Sequence, residues 1–150
     1  MASRRPKLVA INHDDHAARY VGRTQDGRQF FATTPFVPAS RVEAGREFIA
    51  VYLFDPKGGL LEARIEDLGP RAQVDDLHAR RLFAERLADL GAVEYCRIQV
   101  QPFEVTRFDV AFGLILRPPD DEDDDEWCVE AQPGNYMAFY EPWDSGDYDT

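Results

Sequence analysis

The chain has 150 residues, 44% apolar and 12% aromatic, which favours a single domain burying about 70% of its unfolded surface and excludes a wholly disordered chain. Its net charge of −11 argues against nucleic acid and anionic membrane surfaces and permits a basic protein partner. No apolar stretch is long enough for a transmembrane helix or, at Leu8 to Ile11, for the core of a signal peptide, so the reading is a cytoplasmic protein.

Residues 1–11 begin with a basic segment containing Pro6 and are expected to be a frayed end. Asn12-His13-Asp14-Asp15-His16 is a polar cluster ahead of the first expected strand. Arg19 to Thr24 and Arg28 to Thr33 read as a hairpin turned at Gln25-Asp26-Gly27, since Asp-Gly tolerates the positive φ of a tight turn. Pro35 and Pro38 break the second of these strands. Glu47 to Asp55 is rich in β-branched and aromatic residues. Asp55-Pro56-Lys57-Gly58-Gly59 then turns it back into Leu60 to Leu68, the clearest hairpin in the sequence.

Gln73 to Leu90 predicts the principal helix. Val74, Leu77, Phe83, Leu87 and Leu90 recur at three- and four-residue steps and make an apolar stripe. Asp75 and Asp76 suit its positive N-terminal end, and Gly91 suits the left-handed residue beyond its last turn. Glu94 to Val105 alternates through Tyr95, Cys96, Ile98 and Val100 as one strand, which Pro102 places at an edge or a bulge. Thr106 to Asp109 turns into Val110 to Leu116, a nearly all-apolar run expected of a central strand. Residues 117–126 form an acidic loop. Trp127 to Ala131 and Tyr136 to Tyr140 then make a last hairpin turned at Gln132 to Asn135. The pattern is α+β: one domain over residues 1–150, a mainly antiparallel sheet of about six to eight strands, and one helix packed on a face.

The C-terminal stretch Gly134 to Thr150 is the densest aromatic segment, with Tyr136, Phe139, Tyr140, Trp143 and Tyr148. Both sides of its strand look apolar enough to be covered, so the tail is expected to dock on the domain. Its ending, Glu141-Pro142-Trp143-Asp144-Ser145-Gly146-Asp147-Tyr148-Asp149-Thr150, resembles that of bacterial proteins labelled formate hydrogenlyase regulatory protein HycA-like. Arg19 to Arg23 with Gly27 to Ala32, Ala50 to Asp55, and Val110 to Leu114 are similar to that family in the same order. The resemblance implies a regulatory role and supplies no catalytic residues.

Candidate chemistry is sparse. Walker, Gly-x-Ser-x-Gly, Gly-x-Gly-x-x-Gly and His-Glu-x-x-His motifs are missing, so no catalytic residue is assigned and no cofactor is expected. Cys96 and His78 could serve as nucleophile and base only by meeting in space, and nothing in the sequence orients them. Cys96 and Cys128 lack CxxC spacing and read as buried, reduced thiols. His13, Asp14, Asp15 and His16 are the residue types of a zinc or iron site, although a solvated turn explains them as well. Asp144, Asp147 and Asp149 misplace the glycine of a calcium loop and suit a turn in which Asp144 accepts backbone N–H bonds.

The strongest charge feature is the run Asp120, Asp121, Glu122, Asp123, Asp124, Asp125, Glu126, which supplies −7 of the net charge and is followed at once by Trp127. It reads as a solvated loop or as a contact surface for a basic protein. The functional expectation is therefore a non-catalytic protein that binds another protein. The alternatives are an immunity-type inhibitor of a basic toxin and a small metal-dependent enzyme using His13, Asp14, Asp15 and His16.

Overall fold

The computed structural model describes residues 5–119 and 126–150. The chain runs β1 (Val9–Ile11), β2 (Val21–Thr24), β3 (Gln29–Thr33), β4 (Phe36–Val37), β5 (Arg46–Phe54), β6 (Leu60–Pro70), α1 (Asp76–Ala88), β7 (Val93–Tyr95), β8 (Ile98–Val100), β9 (Phe103–Arg107), β10 (Val110–Arg117), β11 (Cys128–Gln132) and β12 (Ala138–Phe139). This is the α+β architecture the patterning predicts, with every strand pair antiparallel. The strands form three sheets. Six belong to the largest, in which β6 and β3 flank β5 and β2 and β7 follow outward; β9 to β12 form the second, and β1 with β8 the third.

β5 is the strand on which the layers are built. Phe48, Ala50, Tyr52 and Phe54 point to a large core shared with Phe31, Phe112, Leu114, Val129 and Phe139 of the neighbouring strands. Val51 and Leu53 point the other way, to a smaller core with Phe30, Ala32 and Leu90 under the helix. Phe48 meets Phe112 edge-on at 4.9 Å between ring centroids, and Tyr52 meets Phe103 at 4.7 Å, so aromatic contacts join the two larger sheets. β3 and β4 lie along β5 in one unbroken register, with Thr33 opposite Ala50 and Phe36 opposite Glu47. Pro35 interrupts the pairing without moving it. It has no N–H to give, but its carbonyl still accepts from Phe48 N at 3.0 Å.

The helix is shorter than its predicted span. Arg71–Gln73 is a separate 3-10 turn and Val74 is extended, so α1 starts only at Asp76. Asp75 caps it, its side chain accepting from the N–H groups of Leu77 and His78. Gly91, at φ 77°, takes the left-handed position beyond the last turn. Phe83, Leu87 and Leu90 hold the helix to the sheet, whereas Leu77 is 66% exposed. The apolar stripe therefore works only in its C-terminal half.

Several expectations require correction. Residues 1–11 are not frayed to their end: Val9, Ala10 and Ile11 pair with β8 and are 1% exposed or less, because the core needs them as its lid. The stretch Glu94 to Val105 is not one strand. It is cut into β7, β8 and β9, which belong to the six-, two- and four-stranded sheets respectively. This partition raises the strand count among the described residues above the expected six to eight. Phe108 and Asp109 turn β9 into β10 with φ of 54° and 59°, a conformation that a bulky residue enters at a cost. The two sides of the final strand are covered unequally: Met137 and Phe139 are at most 2% exposed, while on the other side Tyr136 and Ala138 are half-buried and Tyr140 is 37% exposed. The two cysteines are half-buried, not buried. Among the described residues no helix is long and apolar enough to cross a membrane.

One buried polar atom stands out in the larger core. The Tyr52 hydroxyl has no hydrogen-bond partner among the described residues, and burial, followed by the neighbouring Tyr136, pushes its pKa well above the ordinary tyrosine value. Removing a buried donor that bonds to nothing removes a desolvation cost. Tyr52→Phe is expected to raise unfolding free energy by about 1 kcal/mol in urea denaturation. A loss of that size would show that the hydroxyl is satisfied.

Candidate functional site

The tail from Gly134 onward is stitched to the N-terminal segment by backbone. Ala10 N donates to Trp143 O at 2.9 Å, Asn12 N to Gly146 O at 3.1 Å, and Ala138 exchanges two bonds with Asp149. Gly146 has φ 80°, and a Cβ there would lie 2.3 Å from the Asn12 side-chain oxygen, so only glycine lets the two segments approach. Arg97 closes the junction by donating to Asp144 O and to Asn12 Oδ1. The expected side-chain acceptor, Asp144, does not hold this turn. Ser145 Oγ does, accepting from Asp147 N at 3.2 Å.

The polar cluster of residues 12–16 is the other half of that junction, and its side chains diverge. His13 stacks on Tyr95 at 5.5 Å, and its Nε2 donates to the Arg19 carbonyl at 3.1 Å. Asp14 faces the tail: one oxygen accepts from the Tyr148 hydroxyl, the other from His16 N at 2.9 Å and Ala18 N at 3.1 Å. Asp15 is exposed, and His16 lines a cleft beside α1. Among the described residues no three His, Cys, Asp or Glu side chains group as metal ligands. His78 and Cys96 share no hydrogen bond; the first lies in the opening turn of α1, and the second gives its N–H to Val21 O.

Burial raises the Asp14 carboxyl, but the bonds from Tyr148, His16 and Ala18 outweigh it and hold the pKa below the ordinary 3.8. Burial and the bond to Asp14 push the Tyr148 phenol up to about 12. The pair is therefore a neutral phenol donating to a carboxylate throughout the neutral range.

Asp120 to Asp125 of the expected partner surface lie outside the described residues. The other two members are placed: Glu126 is exposed and Trp127 is half-buried just before β11. Next to them the tail forms a depression of about 430 Å³ lined, among the described residues, by four carboxylates, Glu126, Glu141, Asp147 and Asp149, together with Tyr140 and Tyr148. The local field is negative enough to act on Tyr140, whose phenol is pushed up by burial first and then by Cys128, Asp149, Glu126 and Glu130. Beside the depression, the guanidinium of Arg5 lies 5.2 Å from the centre of the Trp127 ring. The sequence pointed to Glu126 and Trp127 but not to Glu141, and it suggested for Asp147 and Asp149 only a turn, their spacing being wrong for a calcium loop.

A second concavity, which the sequence gave no reason to expect, opens between α1 and the six-stranded sheet and holds about 840 Å³. It arises because the N-terminal half of the helix does not reach the sheet, and Ala17, Ala32, Ala79 and Ala84 leave its walls unfilled. Comparison with protein-family models, curated proteins and solved structures gives no match to this chain.

The Asp14–Tyr148 contact carries a pH dependence whose sign follows from the depressed carboxyl. Its stabilisation is present above the unfolded value of 3.8 and is lost as pH falls through the lower folded value. Asp14→Asn is expected to cost about 1 to 2 kcal/mol at neutral pH, and the gap from wild type should close below about pH 4 in urea titrations followed by tryptophan fluorescence. A gap that is constant down to pH 2 would remove the carboxylate from the tail's anchorage.

Proposed function

We propose that the protein works by binding another protein and that the partner presents arginine or lysine to the acidic surface around Glu126. The observation that carries this reading is the depression walled by Glu126, Glu141, Asp147 and Asp149, built by the docked tail where the acidic run rejoins the fold. Carboxylates gathered on one surface repel one another, and a basic ligand relieves that repulsion while it binds. Trp127 adds an aromatic face. The chain's own Arg5 already lies over it, so a partner's guanidinium finds a geometry this surface accepts. The attraction is steering rather than tight complementarity, so it acts mainly on association rate and weakens with salt over about 8 Å at physiological ionic strength. A regulatory use of this binding is what the family resemblance suggests, and it rests on that resemblance alone.

Hexa-arginine peptide is a suitable probe, with tryptophan fluorescence or calorimetry as the readout. Binding is expected to weaken steadily as salt is raised and to weaken at least about tenfold in the variant Glu126→Gln, Glu141→Gln, Asp147→Asn, whose substitutions lie on the surface and leave the core intact. Hexaglutamate should not bind. Equal affinity of hexa-arginine for the variant and the wild type would overturn the proposal.

A further inference from the structure

The cleft under α1 has a chemistry opposite to that of the acidic surface. Three arginines line it, Arg19, Arg71 and Arg80, against the two carboxylates Glu47 and Asp76, in a chain whose net charge is −11. Arg71 and Glu47 are spoken for: they pair with each other at 2.9 Å, and the Arg71 guanidinium also lies 4.9 Å from the Phe36 ring centre. Among the described residues neither Arg19 nor Arg80 is paired with a carboxylate. Asp76 sits in the first turn of α1, where its charge complements the helix end. Arg19 also lies over the Tyr20 ring, its guanidinium 5.6 Å from the ring centre, which leaves the N–H groups of Arg19 and Arg80 without a carboxylate partner among the described residues.

Its inner wall is aromatic. Tyr20 and Phe83 meet at 4.9 Å with their planes inclined by 60°, and Ala32 and Ile49 of the sheet lie beside them. A volume of about 840 Å³, lined by apolar and polar side chains alike, is within the size range of pockets that hold small organic molecules. Flat rings pack against aromatic faces, and guanidinium groups recognise carboxylate or phosphate oxygens by paired hydrogen bonds.

From these features we infer that the cleft between α1 and the six-stranded sheet is a binding site for a small aromatic carboxylate, its ring against Tyr20 and Phe83 and its anionic group held by Arg19 and Arg80. The site does not depend on the acidic surface, which lies at the tail and shares none of these residues. It would make the protein responsive to a small molecule as well as to a protein.

The test is a calorimetric titration of the full chain with 1-naphthoate, alongside its uncharged analogue 1-naphthalenemethanol. Naphthoate is expected to bind at one site per chain and at least about tenfold more tightly than the alcohol. The double variant Arg19→Gln, Arg80→Gln should lose that preference while keeping the wild-type melting temperature, since both side chains are exposed. Ala84→Trp, which fills the cleft from the exposed side of α1, should abolish binding of both compounds. Equal affinity for acid and alcohol, an unchanged preference in the arginine variant, or no saturable heat up to about 1 mM naphthoate would each overturn the assignment.

Discussion

The structure depends on one constraint: β5 is buried on both of its faces. From Phe48 to Phe54 every residue is at most 1% exposed, so the strand must be covered twice. Alternation along a strand sends successive side chains to opposite sides, and here both sides carry apolar groups. The large, mostly aromatic set of Phe48, Tyr52 and Phe54 requires a broad covering layer, which the sheet of β9 to β12 supplies together with β1 and β8. The smaller set of Val51 and Leu53 needs less, and the C-terminal half of one helix suffices. The unequal thickness of the two layers follows from the unequal side chains of a single strand. The cleft beside α1 is the part of the thinner side that the helix leaves bare.

The strand itself was legible in the sequence, as were the two hairpins on either side of it, but the run expected to be covered on both faces was Val110 to Leu116. The density of β-branched and aromatic residues between Glu47 and Asp55 announces a strand, and Asp26-Gly27 and Gly58-Gly59 announce the turns. The division of Glu94 to Val105 was not legible. Period-two alternation continues straight through Tyr95, Cys96, Ile98 and Val100, and nothing local says that the chain changes sheets twice on the way. Tertiary partners decide that, and two of them lie far off in sequence: Gly22 for Tyr95 and Val9 for Val100. The helix shows the same limit. Val74 and Leu77 fit the periodic stripe, but the sheet beneath them offers no matching surface, so one is extended and the other points to solvent.

Of the proposed acidic contact surface, charge was legible and geometry was not. Consecutive acidic residues identify Glu126 and Trp127 without any structure. The gathering of Glu141, Asp147 and Asp149 around Glu126 depends on how the tail folds back, and that path is set by backbone bonds to Ala10 and Asn12 that leave no sequence signature. His13, Asp14, Asp15 and His16 present the reverse case. Their composition suggests one shared ligand, yet the side chains diverge, His13 onto Tyr95 and Asp14 onto Tyr148, with Asp15 left exposed. Asp14 is spent on Tyr148, and this links the two ends of the chain.

The assignment of β7, β8 and β9 to three different sheets also bears on how the molecule can come apart. Between Val93 and Arg107 the backbone threads every sheet in turn, with only two-residue links. A sheet cannot peel away without dragging its neighbour's strand out of register, because the links are too short to absorb the displacement. Partial opening is therefore confined to the margins, to α1 and the ends of edge strands, and the sheets are lost together. Amide exchange from β2, β5 and β10 should then report one common opening event, the behaviour of a single cooperative unit rather than of stacked modules.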